Sequence, residues 1–586
     1  MEIFTIQSNR FSRRVRGLLY AGLLLGMTQA WSAELSLQIE GVSDELASNV
    51  KAYLSIGSLE SQLITNESRL RYLHRQAEEE VRQSLQPFGY YNPTVISALE
   101  QLPSGDWLAS YQVDAGVRTQ LERVDIQITG EGATDPSFLA LVENTPLQTG
   151  APLRHPDYED LKGRLQSVAS ERGYYRAVFE RSRIVVDRLT NSAVVEITYA
   201  TGPRTRISEI RFSDSPVSED LLRRYLRFTE GDPVNVARLI DLQGALIDSN
   251  YFAEVQVLPL LDELEAGQIP IQVSLTPRPR NLYEAGIGFG TDTGARLQLG
   301  IERRYVNSRG HKMDARIRLS QVRNDLTGSY MIPGEDPRYD QYGLRSRYTD
   351  ENSDTIESRT YAVGGIWQKQ VGDWERVLSL DLEQEQYTFD QETLDQLLLI
   401  PRAQFNKTVA DDRFNTRKGY NIDFGVAAAS EALLSDVSLL QLTLSGKRVD
   451  PMGEKWRLLS RFDLGALTSS SFERVPASLR FYAGGDNSVR GYDYQELGPV
   501  SDQGSVVGGQ YLMVGSLETD YMFRPDWRLA VFADAGNAFN DFNDSIKTSV
   551  GVGVRWQSPV GPIRLDLAKP ISDSGFRIHF TLGPDL

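Results

Sequence analysis

One cation lies in a stretch rich in glycine and aromatic residues near the end of the chain. Residues 481–499 read FYAGGDNSVRGYDYQELGP, in which Arg490 follows Val489 and precedes Gly491 and Tyr492. A guanidinium stays protonated and bonds carboxylates in a bidentate manner, so this arginine suits an internal ion pair. Gly491 lets the backbone turn sharply, and Tyr492 supplies an apolar edge. The alternative is that Arg490 is a solvated loop charge.

Candidate acceptors for this arginine lie on two alternating segments that follow it. YLMVGSLETDY (511–521) puts Glu518 opposite an apolar face, and WRLAVFADAG (527–536) does the same with Asp534. Successive side chains of a strand point to opposite faces. If the apolar faces contact lipid, both carboxylates face an interior. We therefore predict that Arg490 contacts Glu518 and Asp534 there.

The rest of the sequence offers no motif for catalysis or metal binding. It contains no GxSxG, HExxH or Walker-type pattern. The histidines, His74, His155, His311 and His579, lack metal-ligand spacing, and cysteine is absent. With 62 Lys+Arg against 79 Asp+Glu, the net charge of −17 disfavours nucleic acid as a partner. We predict a protein without enzymatic activity, metal or cofactor.

Residues 1–33 have the pattern of an export signal. Several arginines precede the apolar run GLLYAGLLLGM, which is too short to span a bilayer, and small residues lead to Ala33. The alternative is a buried N-terminal helix. Beyond this segment, no apolar run is long enough to predict a transmembrane helix.

A repeated pattern follows over residues 34–277. A Gly-Tyr pair after an amphipathic helix occurs in FGYY (88–91) and RGYY (172–175), and SNYF (249–252) is a looser third copy. The intervals are 84 and 77 residues, so each unit has the size of a domain. The pattern predicts three α+β domains with helices on one face of a small sheet, at 34–116, 117–202 and 203–277.

The remaining residues, 278–586, alternate between apolar and polar side chains. In ARLQLGIERRY, for example, Ala295, Leu297 and Leu299 share one face and Arg296 lies on the other. We count about sixteen such segments, many of which begin or end in an aromatic residue. A soluble sandwich also alternates, but a face this polar does not suit a packed core. We therefore predict a sixteen-stranded antiparallel transmembrane β-barrel.

These features together resemble the BamA/TamA superfamily of outer-membrane assembly proteins. The three repeats look like polypeptide-transport-associated (POTRA) domains. The presence of three of them most resembles the TamA branch of the superfamily. Four barrel stretches carry the resemblance: SVRGY (488–492), GSLETDY (515–521), FADAGNAF (532–539) and WQSPVGPIRLDLA (556–568). The resemblance also implies the pairing of Arg490 with lumen carboxylates.

The resemblance further implies a location and a function. The barrel would lie in the outer membrane with the repeats in the periplasm. It would assist insertion or secretion of autotransporter-like client proteins, together with a TamB-like partner anchored in the inner membrane. Two alternatives remain open at this point: transport of lipid to the outer membrane, and a secretion pore of the two-partner type.

The line where the barrel closes is a second candidate site. The first strand, 283–290, contains Gly286 and Gly288, and glycine weakens strand pairing. Its expected partner is the last strand, 576–582, whose Phe576, Ile578 and Phe580 would face lipid. We predict that this closing pair is the weakest in the barrel and acts as a lateral gate for client strands. The alternative is that the glycines only fit a crowded lumen.

Overall fold

The computed structural model describes residues 33–60, 62–389, 392–412, 415–558 and 561–582. The predicted export signal lies outside the described residues, apart from its last position. The chain forms two compact units that divide after Arg204. Among the described residues, no helix has both the length and the apolar character needed to cross a bilayer.

The first unit contains two small sheets of the same plan. The elements of the first are β1 (Leu35–Glu40), α1 (Asp44–Tyr53), α2 (Glu67–Leu85), β2 (Thr94–Gln101) and β3 (Trp107–Asp114). Those of the second are β4 (Gln120–Thr129), α3 (Pro136–Glu143), α4 (His155–Arg172), β5 (Val178–Asp187) and β6 (Ser192–Ala200). In each sheet the last strand lies in the middle, parallel to the first and antiparallel to the second. The predicted α+β repeat is therefore present.

A left-handed residue follows the long helix of each repeat within a few positions. Gly89 has φ +89° and Gly173 has φ +82°, a conformation that glycine adopts without steric cost. The looser third copy has Asn250 at the same place, with φ +65°. Asparagine is among the few other residues that tolerate this conformation. The shared requirement is thus a backbone conformation rather than glycine itself.

The second unit begins with the third repeat, which packs on the barrel. Its elements are β7 (Arg206–Phe212), α5 (Glu219–Arg223), α6 (Val236–Asp248), β8 (Phe252–Pro259) and β9 (Gln268–Pro277). The Tyr251 hydroxyl donates a hydrogen bond of 2.6 Å to the carbonyl of Gly310, and Lys312 Nζ donates one of 2.8 Å to the carbonyl of Ser249. Arg338 forms an ion pair of 2.6 Å with Asp241. These polar contacts hold the third repeat against one end of the barrel, called the near end below.

Sixteen strands form the barrel sheet, and each is antiparallel to the next. They are β10 (Asn281–Gly290), β11 (Gly294–Arg303), β12 (Lys312–Ser320), β13 (Arg323–Pro333), β14 (Asp340–Asn352), β15 (Glu357–Val371), β16 (Trp374–Phe389), β17 (Glu392–Ala410), β18 (Gly419–Ala429), β19 (Leu439–Met452), β20 (Trp456–Ser469), β21 (Tyr511–Arg524), β22 (Trp527–Phe539), β23 (Lys547–Ser558), β24 (Gly561–Pro570) and β25 (Arg577–Leu582). The predicted fold class and strand number are confirmed.

The two ends of this sheet, β10 and β25, form the seam. In the part of the chain that the structure describes, no ladder of backbone hydrogen bonds joins these two strands. They meet at the far end of the barrel, where the Phe580 N–H donates to Thr291 Oγ1 at 2.8 Å. The closing strand pair expected from the sequence is therefore absent from the described residues. Among the described residues, β25 has six residues, and most of the glycine-containing edge of β10 has no strand partner.

The segment between β20 and β21, residues 470–510, is called the lumen loop. It contains two short 3₁₀ turns and isolated bridges but no strand of the sheet. Its apolar side chains Ala483, Val489 and Leu497 are buried, together with Val514 of the barrel wall. The glycine-rich segment thus folds back into the barrel, as the sequence predicted.

The contact between the third repeat and the barrel makes a stability prediction. Gly310 has φ +74°, and a Cβ there would lie 2.4 Å from Leu221 Cδ2 and 2.6 Å from Tyr251 Oη. We expect Gly310→Ala to combine a left-handed strain of about 1–2 kcal/mol with overpacking of about 1–3 kcal/mol. Loosening of the repeat should appear as faster cleavage by trypsin after Arg280.

Gly372→Ala provides the matched control for this prediction. Gly372 also has a positive φ, +60°, but a Cβ there meets nothing within 4 Å. It should therefore suffer the backbone strain alone, with no change at Arg280. Equal cleavage after Arg280 in the two variants would show that Gly310 is not needed for this packing.

Candidate functional site: an internal ion cluster and an open seam

Arg490 is the centre of a buried ion cluster inside the barrel. Its guanidinium bonds Asp534 of β22 through Nε at 2.7 Å and Nη2 at 2.9 Å, and Nη1 bonds Glu518 of β21 at 2.8 Å. Arg490 is 7% exposed and Asp534 is 2% exposed. The structure thus brings together the three residues that sequence analysis placed in contact, and the cation is not a solvated loop charge.

The cluster also contains residues that sequence analysis did not assign to it. Arg490 Nη1 lies 3.1 Å from Asp566 of β24, and Arg555 of β23 bonds Glu518 at 2.8 Å and also pairs with Asp566. The Arg490 guanidinium stacks on Phe532, 3.4 Å from the ring centre. The segment PIRLDLA (562–568) also alternates, with Ile563, Leu565 and Leu567 on one face, and this alternation predicts that Asp566 lies on the inner face. Its distance from Arg490 could not be predicted from alternation, because this distance depends on how far neighbouring strands are shifted along each other.

The neighbours of Arg490 fix the loop against the end of β24. Val489 is fully buried, and the Tyr492 hydroxyl donates to Asp573 at 2.8 Å. Gly491 has φ +101°, and a Cβ there would lie 3.2 Å from Pro570. Glycine is therefore required at this position by both its backbone conformation and its surroundings.

A second group of polar residues, called the junction cluster, lies at the far end of the seam. It consists of Thr291 and Asp292 in the turn after β10, Asp486 in the lumen loop, and His579 in β25. His579 Nδ1 lies 2.6 Å from Asp486 Oδ1, and the Asp486 N–H donates to Asp292 Oδ2 at 2.7 Å. Burial, and next the neighbouring Asp486 carboxylate, raise the pKa of Asp292 to about 6.

The junction cluster has the residue types of a metal site. Ligand atoms of Asp292, Asp486 and His579 lie within 4.8 Å of one another. However, the Gly491 N–H donates to His579 Nε2 at 2.7 Å, and Nδ1 faces Asp486. Both ring nitrogens are already engaged in hydrogen bonds. Sequence analysis missed this cluster because its members are nearly 200 and 300 residues apart, and no local spacing connects them.

The predicted seam residues have different surroundings. Ile578 and Phe580 lie in β25, and the Phe580 ring is 6.0 Å from that of Phe289 in β10. Phe576 precedes β25 and is exposed beside Lys569, so it is not part of the closing strand. On the β10 edge, Ile287 is 86% exposed. Apolar side chains thus flank an unpaired backbone edge.

The two glycines of β10 have free space around them. A Cβ at Gly288 would meet nothing within 4 Å, and one at Gly286 would only touch Gln298 Cβ at 3.9 Å. Among the described residues, nothing therefore crowds these two glycines, which argues against the alternative of a crowded lumen. These glycines affect β10 itself, because glycine lowers the tendency of an edge strand to remain extended and paired.

The fold and the ion cluster together define a β-barrel with an internal loop, preceded by POTRA-like repeats. Residues 285–585 match the model of the Omp85 superfamily domain, and residues 36–115 match that of POTRA domain TamA domain 1. The first match covers more than half of the sequence. The chain belongs to the Omp85 superfamily, whose barrels lie in the outer membrane with POTRA domains in the periplasm.

Two curated relatives carry the name outer membrane protein assembly factor BamA. The protein from Nitratidesulfovibrio vulgaris is 22% identical over 67% of this chain and 53% of its own length. The one from Neorickettsia risticii is 20% identical over 82% of this chain and 68% of its own length. The chain thus spans about half of the first relative and two thirds of the second.

A solved structure has the same fold. The crystal structure of BamA from Haemophilus ducreyi lacking POTRA domains 1–3 superposes with a TM-score of 0.68. It covers 80% of this chain and all of the other chain, at 18% sequence identity. At this identity the similarity shows the architecture, and function has to be argued from the site.

The ion cluster predicts the effect of removing its cation. Arg490→Ala leaves the buried Asp534 carboxylate without its cation, which costs about 3–5 kcal/mol, whereas Arg555 still pairs with Glu518 and Asp566. Since each 1.4 kcal/mol is a factor of ten, the undocked fraction of the lumen loop should rise by about two to three and a half orders of magnitude. Arg490→Lys should have a smaller effect, because lysine keeps the charge but loses the planar bidentate bonds.

Limited proteolysis with proteinase K within residues 470–510 measures this change, and heat-modifiable migration in gels verifies that the barrel is assembled. Arg448→Ala is the control, because Arg448 is an exposed arginine of β19 that pairs with Asp450 on the same strand. A lumen loop that stays as resistant in Arg490→Ala as in the wild type would contradict the proposed importance of the cluster.

Proposed function

We propose that this protein is the outer-membrane component of a translocation and assembly module, which assists autotransporter-like β-barrel proteins to insert into or cross the outer membrane. The observation that carries the proposal is the edge of β10, most of which has no strand partner among the described residues. A backbone N–H or C=O that faces hydrocarbon without a partner costs several kcal/mol. A client strand that adds to this edge would remove that cost, so the edge can act as a template for strand addition.

The weakness of the seam supports the same proposal. Gly286 and Gly288 weaken the first strand although no neighbour requires glycine there. The β10–β25 contact is confined to the far end in the described residues. A seam built in this way opens at a lower cost than the fifteen strand interfaces from β10 to β25 that are joined by backbone ladders. The lateral gate is therefore the mechanism that we propose.

The N-terminal repeats support a module with a second protein. The first repeat matches the POTRA model of the TamA branch, and each three-stranded sheet leaves two edge strands for β-augmentation. We therefore include a TamB-like, inner-membrane-anchored partner in the proposal. Lipid transport and two-partner secretion are the competing functions, and they predict different phenotypes in the experiment below.

A disulfide across the seam tests the gate. The protein has no cysteine, so Phe289→Cys combined with Phe580→Cys introduces a single pair where the two rings are now 6.0 Å apart. We expect oxidation to crosslink β10 to β25 and to abolish surface exposure of an autotransporter client, and reductant to restore it. Each single cysteine variant, oxidised in the same way, is the control.

Outer-membrane lipid balance, scored in the same cells, separates the competing functions. Normal client exposure with a quantitatively closed disulfide would reject the lateral gate. A change in lipid balance with normal client exposure would favour lipid transport. If neither changes but secretion of a soluble substrate stops, a secretion pore would be the better description.

The glycines of β10 give a second, independent prediction. Gly286→Val and Gly288→Val together should stabilise the extended first strand at no steric cost, because β-branched residues suit strands. We expect a stiffer edge and client insertion slowed by about fivefold, since strand preferences span about 1 kcal/mol per site. Gly365→Val is the control, in a strand that has partners on both sides. Equal rates of client insertion in the wild type, the double variant and the control variant would show that insertion does not depend on the flexibility of the β10 edge.

A further inference from the structure

Three distant segments meet at the far end of the seam, in the place where a strand ladder would close the barrel. The turn after β10 contributes Thr291, whose hydroxyl donates to Asp486 Oδ1 at 2.9 Å. The last strand contributes His579, whose Nδ1 lies 2.6 Å from the same Asp486 oxygen. Asp486 belongs to the lumen loop. One loop carboxylate therefore holds both edges of the seam.

His579 also contacts the loop beside the central cation. The Gly491 N–H donates to His579 Nε2 at 2.7 Å, so Nε2 is unprotonated and Nδ1 carries the proton that Asp486 accepts. The ring is 1% exposed. A single imidazole thus connects β25 with two points of the loop, and Gly491 is the residue that follows Arg490.

Glycines allow the loop to approach both edges this closely. A Cβ at Gly485 would lie 2.6 Å from Asp292 Oδ2, in the turn after β10. At Gly491 a Cβ would lie 3.2 Å from Pro570, at the end of β24. The loop backbone is therefore wedged between the first turn and the last hairpin of the barrel.

We propose that the lumen loop is a clasp that holds the far end of the seam closed, and that His579 is the positioning residue that couples the seam to the Arg490 ion cluster. Separation of β25 from β10 breaks the bonds of His579 to Asp486 and Gly491, and loss of the Gly491 bond frees the backbone next to Arg490. Opening of the seam and release of the loop are then one transition. This inference deepens the proposed function. It rests on that function only for the role of the opening, which is to admit client strands at the seam.

The coupling is tested by two readouts that need no client protein. The first is the rate of disulfide formation between cysteines at positions 289 and 580 under a fixed oxidant. The second is the rate of proteolysis of the lumen loop. We expect His579→Phe, which keeps an aromatic ring but removes both nitrogens, to slow the crosslink and to accelerate proteolysis, each by about threefold or more. This substitution changes no residue of the Arg490 ion cluster.

The coupling can also be tested by changing the ion cluster and measuring the seam, because a coupling free energy is reciprocal. Arg490→Ala should slow the crosslink at the seam although it contacts neither strand of it. In a double-mutant cycle, His579→Phe and Arg490→Ala should be non-additive by about threefold or more in both readouts. Additive effects in the cycle would overturn the proposal, since they would mean that the seam and the cluster open separately.

His311→Phe is the matched control, because His311 also hydrogen-bonds through Nδ1, to the Tyr330 hydroxyl at 2.8 Å, but lies near the third repeat. It should change neither readout and should be additive with Arg490→Ala. If His579→Phe does not assemble, as judged by heat-modifiable migration, Asp486→Asn replaces it. Unchanged crosslinking and proteolysis in an assembled junction variant would also overturn the clasp, whereas a failure of client insertion alone would concern only the proposed function.

Discussion

The structure depends on the contact between one guanidinium and the carboxylates that surround it. Burying Arg490 costs free energy unless its charge is paired with an opposite charge. The same is true of Asp534 and Glu518. Arg555 of the wall pairs with Glu518 and Asp566, but the cation that pairs with Asp534 comes from the lumen loop, so this condition is met for Asp534 when the loop is docked. A 41-residue segment without regular strands is thereby held in one place inside a wide barrel.

Two different kinds of contact join neighbouring strands of the barrel. Between neighbouring strands from β10 to β25, backbone ladders do so. At the seam, side chains replace the ladder: a threonine hydroxyl, two carboxylates and an imidazole connect the edges through the loop. Side-chain bonds of this kind are few and local, so they are easier to break as a group than a ladder of backbone bonds. In the described residues, the seam is the strand interface that lacks a ladder, and the lumen loop contacts both of its edges.

Much of this architecture could be predicted from the sequence, for reasons that are local. Alternation determines which face of a strand is polar, so Glu518 and Asp534 could be placed inside, and a glycine after a helix indicated the repeat plan. What could not be predicted depends on displacement between strands far apart in the chain. Asp566 was known to face inward but not to reach Arg490, and His579 gave no signal of its approach to Asp486. Closure of the seam likewise depends on the geometry of the whole ring, which no pair of segments determines.

The position of the cluster in the chain has a consequence for assembly. The carboxylates that bond Arg490 lie 28, 44 and 76 residues after it, on three of the last five strands. Contacts between segments close in sequence form early, because little loop entropy is lost. During folding, however, the guanidinium finds its full set of partners only after β24 has joined the sheet. A chain that ends before β24 would leave Arg490 without Asp566, so the full set of bonds around the guanidinium forms only in a chain that extends through β24.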